Sequence, residues 1–253
     1  MASETLYLWF AYPDDLIDEQ TFVWSSQVLS QGERERLDRF KFDGSRREYL
    51  AAHALVRTAL LHCGPLTPEA WSFRTNSYGK PYVDLPSDLC FSLSRRAGLV
   101  ACLVARGAEV GIDVESHEAS SNIIEVAPSV LSARELAQLS LMTTDCKHNH
   151  ALSLWTLKEA YAKARGMGLS LPLQEFSFVD CPPFGMRLEV NPSIGADAER
   201  WRFCTLDHAG HRVALMTEFR RQPHLEVRVM RPFQVPSSLP EDPQLAWFPK
   251  EFA

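Results

Sequence analysis

The pattern Leu-Ser-x-x-Glu-x-x-x-Leu occurs twice in this chain, as Leu29-Ser30-Gln31-Gly32-Glu33 with Leu37 and as Leu131-Ser132-Ala133-Arg134-Glu135 with Leu139. Two further pairs follow in the same order. Trp71-Ser72-Phe73 is echoed by Phe176-Ser177-Phe178, and Ala97-Gly98 inside one alternating run is echoed by Ala209-Gly210 inside another. Self-similarity that keeps its order at a fixed period points to a duplicated unit. The expected organisation is an N-terminal half over 1–107, a C-terminal half over 108–219, and a Pro-rich irregular tail over 220–253.

Each half reads alike. A short apolar strand opens it, at 6–12 and at 110–114. A helix follows, because Ser30 with Glu33 and Ser132 with Glu135 have capping-box spacing. A longer helix is expected over 46–62 and again over 149–165. The first should stop at Gly64-Pro65 and the second at Gly166-Met167-Gly168. Strands and a hairpin close each half, turning at Ala97-Gly98 and Ala209-Gly210. Helices beside antiparallel strands give the α+β class. The expected architecture is two similar, pseudo-twofold-related halves, each with helices packed on a mainly antiparallel sheet. In the tail, Trp247 and Phe248 are the residues with most to gain from docking.

Composition narrows the function. With 26 Lys+Arg against 32 Asp+Glu the chain carries a formal charge of −6, which argues against a nucleic-acid partner. No apolar run reaches the ~18 residues a membrane span needs. The N-terminus lacks the basic region of a signal peptide. The 6 cysteines form no C-x-x-C pair, so they read as reduced, mostly buried thiols of a cytoplasmic protein.

Two segments carry the chemistry. In Gly111-Ile112-Asp113-Val114-Glu115, strand alternation puts Asp113 and Glu115 on one face. Two adjacent carboxylates suit a hard divalent ion such as Mg²⁺; the same pattern also fits a sheet face turned to solvent. On the long second-half helix, Leu154, Leu157, Tyr161 and Ala164 share an apolar arc, while Trp155, Glu159 and Lys163 share the opposite stripe. A Glu→Lys pair at that spacing is common on solvated faces, but a tryptophan there suggests cover by another element or a ligand. Tyr78-Gly79-Lys80-Pro81 reads as a turn presenting a lysine. Glu135 is explained by its capping box and is also a candidate catalytic residue. No P-loop, G-x-G-x-x-G or G-x-S-x-G is present.

The pair G-[IV]-D-x-E and W-x-x-K-E-x-x-x-K, here Gly111 to Glu115 and Trp155 to Lys163, resembles the signature of the surfactin-type 4'-phosphopantetheinyl transferases. Tyr78-Gly79-Lys80-Pro81, Phe91-Ser92-Leu93-Ser94, Leu131-Ser132 with Glu135, and Gly166-Met167-Gly168-Leu169-Ser170-Leu171 extend the resemblance over about residues 5–219.

The resemblance implies an enzyme that moves the phosphopantetheine arm of coenzyme A to a serine of an apo acyl or peptidyl carrier protein. Adenosine 3',5'-bisphosphate is the other product. It implies Mg²⁺ held by Asp113, Glu115 and Glu159, with Lys163 stabilising phosphate charge. Glu159 or Glu135 would serve as base. It also implies coenzyme A bound by Arg47, Lys80, Ser94, Arg95 and Lys163, and a protein that works as a monomer. One departure stands out: the family's usual Asn and His in F-N-[IL]-S-H-[ST] are Ser92 and Arg95 here. That departure motivates the alternative, a non-catalytic homologue that binds coenzyme A or a carrier protein.

Overall fold

A computed structural model describes residues 4–64, 71–84, 88–181, 185–195, 198–219, 223–230 and 237–238. The first half runs β1 (Thr5–Ala11), α1 (Glu19–Gln27), α2 (Gln31–Leu37), α3 (Asp43–Cys63), then strands β2 (Phe73–Thr75), β3 (Pro81–Val83), β4 (Leu89–Arg96) and β5 (Leu99–Arg106). The second half repeats the series: β6 (Val110–Ser116), α4 (Ser120–Val130), α5 (Ala133–Ser140), α6 (Thr144–Arg165), then β7 (Phe176–Asp180), β8 (Met186–Val190), β9 (Arg202–His208) and β10 (His211–Thr217). Strand order repeats too, β1-β5-β4 in one sheet and β6-β10-β9 in the other, each with a separate hairpin, β2-β3 or β7-β8. The α+β class and the two like halves are as the repeat implied.

Alternation along the strands sorts side chains into layers. Leu8 and Phe10 of β1 and Ala101 and Leu103 of β5 meet Ile112, Val114, Val213 and Leu215 between the two sheets. Their neighbours Trp9, Cys102 and Val104 face α3, while Ala214 and Met216 face α6. The order across the molecule is therefore helix, sheet, sheet, helix, with three apolar layers between. The predicted apolar arc of α6 is buried as expected: Leu154, Leu157, Tyr161 and Ala164 are at most 1% exposed.

The capping boxes are both present, and each glutamate does a second job. Glu33 accepts from the Ser30 backbone N–H and pairs with Arg57 of α3 at 2.7 Å. Glu135 accepts from the Ser132 N–H and pairs with Lys158 of α6 at 2.9 Å. Each box thus ties its short helix to the long helix of its own half. Burial alone would raise the Glu33 pKa. Hydrogen bonds from His53, Arg57 and the Ser30 backbone outweigh it, lowering the value from 4.5 to about 2. A depressed carboxyl stabilises the fold above its unfolded value and loses that contribution as pH falls towards the folded one. The stability gap between the parent and Glu33→Gln should therefore be full at neutral pH and shrink on acidification below 4.5 towards about 2. Denaturant titrations across that window check this; a gap indifferent to pH would overturn it.

Three expectations need correcting. The segment after 219 is not wholly irregular: β11 (His224–Val229) pairs in parallel with β1, and β12 (Ser237–Ser238) pairs with β11. Leu225, Val227 and Val229 alternate inward to join the inter-sheet core, a period-two pattern obscured in the sequence by the surrounding prolines. Trp247 and Phe248 lie outside the described residues. Helices α1 and α4 were not expected; α1 is short and its apolar residues are few, and only the Asp18 side chain accepting from the Thr21 N–H marks its start. The six cysteines are free, as expected, but Cys102 and Cys204 alone are buried and Cys146 is exposed. Among the described residues no helix is long and apolar enough to cross a membrane.

Candidate active site

β6 and α6 lie unusually close, and Gly111 is the reason. A Cβ at that position would sit 1.9 Å from the Ala160 carbonyl oxygen and 2.6 Å from the Ala164 amide nitrogen. With no side chain there, the strand carrying Asp113 and Glu115 lies directly against the helix turn carrying Glu159 and Lys163. Gly166, in the left-handed conformation at φ 65°, ends that helix, with Met167 N–H reaching back to Ala162 O.

The first half completes the arrangement. β4 and β6 are edge strands of different sheets, and the hydroxyls of β4 bridge them. Ser92 Oγ accepts from the Ile112 N–H at 3.1 Å, and Ser94 Oγ accepts from the Val114 N–H at 3.2 Å. Asp113, between those two amides, is thereby fixed to both halves. Ser92, one of the two departures from the family motif, thus has a structural task.

An open cleft of about 550 Å³ results, lined by Ser94, Arg95, Asp113, Glu115, Trp155, Glu159 and Lys163 among others. Lys163 Nζ donates to Asp113 Oδ1 at 2.7 Å and to Ser94 Oγ at 2.8 Å, and the Ser94 hydroxyl donates to Asp113 Oδ1 at 2.9 Å. Asp113 Oδ2 is buried and unpartnered among the described residues. Burial, and to a lesser degree the Glu115 charge, push the Asp113 pKa up against the pull of Lys163. Glu159 is likewise raised, first by burial and then by Asp113, with Glu115 adding to it. Carboxylates that repel one another in a part-buried cleft, one with an orphaned oxygen, are what a bound cation would relieve.

Glu115 is differently placed. Arg96 holds it in a two-pronged pair, Nε to Oε2 at 2.6 Å and Nη2 to Oε1 at 2.7 Å, while Trp155 Nε1 donates to Oε1 at 3.0 Å. Among the described residues no three His, Cys, Asp or Glu side chains stand close enough to hold one ion as they are placed. Asp113 and Glu159 have the oxygen chemistry that suits a hard divalent ion, while Glu115 is engaged by Arg96.

Asp113, Glu115, Glu159 and Lys163, read from the strand and helix faces, and Ser94 and Arg95, taken from the resemblance, all line this cleft. Three other candidates are elsewhere. Glu135 is fully buried, committed to Lys158, to Ser132 and to the Phe178 N–H at 2.8 Å. The capping role expected of it is present, and it is buried away from the cleft. Lys80 donates to Glu109 at 2.6 Å, to Ala164 O at 3.0 Å and to Val110 O at 3.3 Å. One of its three ammonium bonds thus covers the C-terminal end of α6, where Asn76 also donates to Gly166 O at 2.7 Å. Arg47 lines a separate hollow between α1 and the start of α3. The residues missed were Arg96 and the Glu115 bond of Trp155. Trp155 had signalled itself as an aromatic on a polar stripe; Arg96 had no signal beyond its neighbour Arg95.

The matching register of the first half holds no such site. Counting from the hairpin turns, Phe10 opposite Ala101 corresponds to Val114 opposite Val213. Asp113 is therefore matched by Trp9 and Glu115 by Ala11, both buried in the core. One half keeps the carboxylates and the other supplies serines and arginines.

Comparison with known proteins agrees with the family resemblance of the sequence. The family model for the 4'-phosphopantetheinyl transferase superfamily matches residues 109–216. The chain is 33% identical over 167 residues to the 4'-phosphopantetheinyl transferase Sfp of Bacillus subtilis strain 168, covering 66% of this chain and 73% of that protein. It is 32% identical over 150 residues to another Bacillus subtilis 4'-phosphopantetheinyl transferase, covering 59% of this chain and 66% of the relative's length. The chain belongs to the 4'-phosphopantetheinyl transferase family. A solved holo-(acyl-carrier-protein) synthase from Bacillus anthracis, in complex with coenzyme A, is 15% identical with a TM-score of 0.37, covering 43% of this chain and 93% of that one; that likeness is too slight to argue from.

Proposed function

We propose that this chain transfers the phosphopantetheine arm of coenzyme A to a serine hydroxyl of an apo acyl or peptidyl carrier protein, releasing adenosine 3',5'-bisphosphate. The observation that carries the reading is the cleft between β6 and α6, where Asp113, Glu159 and Lys163 meet Ser94 from the other half. The serine oxygen forms a bond to the phosphorus that bears the arm, and the bond from that phosphorus to the bridging oxygen breaks. Negative charge grows on the departing bisphosphate.

Each residue has a task in that exchange. Lys163, tethered to Asp113 and Ser94 and 29% exposed, presents its ammonium to the phosphates and stabilises the growing charge. Arg95, exposed on the cleft wall, adds a permanent positive charge where the family usually has histidine. Glu159, on the wall of the same cleft, is the carboxylate placed to accept the serine proton. Asp113 and Glu159, with Glu115 if Arg96 releases it, would hold Mg²⁺, which would supply positive charge to the phosphate groups.

The test uses the purified chain with coenzyme A, Mg²⁺ and a panel of apo carriers of fatty-acid, polyketide and peptide synthases. Mass spectrometry should find the mass of the arm added to at least one carrier, and a chelator should stop the reaction until Mg²⁺ is restored. Carriers that all stay unmodified would sink the transfer reading; turnover indifferent to the chelator would remove the metal from it.

A further inference from the structure

We propose that Arg96 competes with the divalent ion for Glu115, so that this chain binds metal weakly until an anionic ligand draws the guanidinium away. The inference rests on the metal-assisted reading above and gives Arg96 a part in it. Arg96 occupies both carboxylate oxygens of Glu115, one with Nε and one with Nη2. A carboxylate engaged at both oxygens by a fixed fork of donors has little left to offer a cation.

The two partners are unequally held. The Glu115 side chain is 6% exposed, packed on β6 and anchored by Trp155, whereas Arg96 is 50% exposed at the end of β4. Arg96 is the member that can leave. A guanidinium fits phosphate as well as it fits carboxylate, so an arriving phosphate or pyrophosphate offers it an equivalent partner at the cleft rim. Once it swings off, Glu115 is a buried carboxylate without its countercharge, in the same cleft lining as Asp113 and Glu159. A divalent ion is then the counter-charge that the three share. Because binding energies are linked, an anion that tightens metal binding is itself bound more tightly when metal is present.

Mn²⁺ binding, followed by the loss of the free-ion electron paramagnetic resonance signal, tests this without reference to turnover. Arg96→Ser should bind Mn²⁺ about fivefold more tightly than the parent, the worth of a half-exposed ion pair. Arg96→Lys, which keeps the charge and loses the fork, should fall between them. Coenzyme A should tighten Mn²⁺ binding in the parent, after correction for Mn²⁺ bound by coenzyme A in buffer, and by about fivefold less in Arg96→Ser. If parent and Arg96→Ser bind Mn²⁺ equally, with Asp113→Asn abolishing the binding, the competition is overturned and the metal site stands. If no Mn²⁺ binds to any of these proteins, with or without coenzyme A, the metal site falls and the competition with it.

Discussion

Replacing Lys158 by methionine should destabilise the protein by about 3–5 kcal/mol, the usual cost of removing one partner from a fully buried ion pair. Neither side chain of the pair has any solvent exposure. Lys158 Nζ also donates to Leu173 O at 2.7 Å and Phe176 O at 2.6 Å, and it lies over the Phe176 ring. Burial lowers the Lys158 pKa, and the Glu135 charge and hydrogen bond oppose that shift. Methionine fills the space and leaves Glu135 facing an apolar interior with only the Ser132 and Phe178 amides to satisfy it. The double replacement Lys158→Met/Glu135→Gln should recover part of the loss, because no buried charge is then stranded. Urea titration reads both. A Lys158→Met midpoint close to that of the parent would mean that water reaches this pair. A double variant no better than the single one would mean that the capping bonds of Glu135, not its charge, are what matter.

Asp113→Asn should lose transfer by at least about 10²–10³-fold, the scale seen when one preorganised electrostatic group is removed from a site, while folding at least as stably as the parent. The stability half follows from the sign of the shift. Burial raises the Asp113 pKa above its ordinary 3.8, with Glu115 adding to it and Lys163 only partly offsetting it. An acid whose folded pKa is raised stabilises least when ionised: its contribution is complete below the unfolded value and is lost as pH rises through the folded one. At neutral pH the metal-free parent therefore bears a cost that the amide removes. Kinetics with a modified carrier as readout, paired with denaturant melts, checks both halves. A variant that transfers at the parental rate takes Asp113 out of the chemistry, and one that melts far below the parent makes it a structural residue.

The halves of the fold were legible because their markers are local. A capping box needs only Ser and Glu three residues apart, and both copies formed, at Ser30/Glu33 and Ser132/Glu135. The acidic face of β6 and the polar stripe of α6 were equally plain, since strand and helix periods fix which side chains share a face. What the glutamates of the capping boxes pair with was not legible. Arg57 and Lys158 are brought to them by packing, from sequence separations of 24 and 23 residues.

Local rules settled which residues share a strand or helix face, Asp113 with Glu115 and Glu159 with Lys163, while the meeting of those two faces was left to packing. The tertiary structure alone decided that Ser94 and Arg96 reach the cleft from the other half, that β11 returns to the edge of β1, and that Lys80 and Glu135 are spent on the scaffold. Periodicity acts within an element, whereas a partner across a sheet edge or a helix end is set by how whole elements pack, and the missing side chain of Gly111 is what lets them pack so closely here.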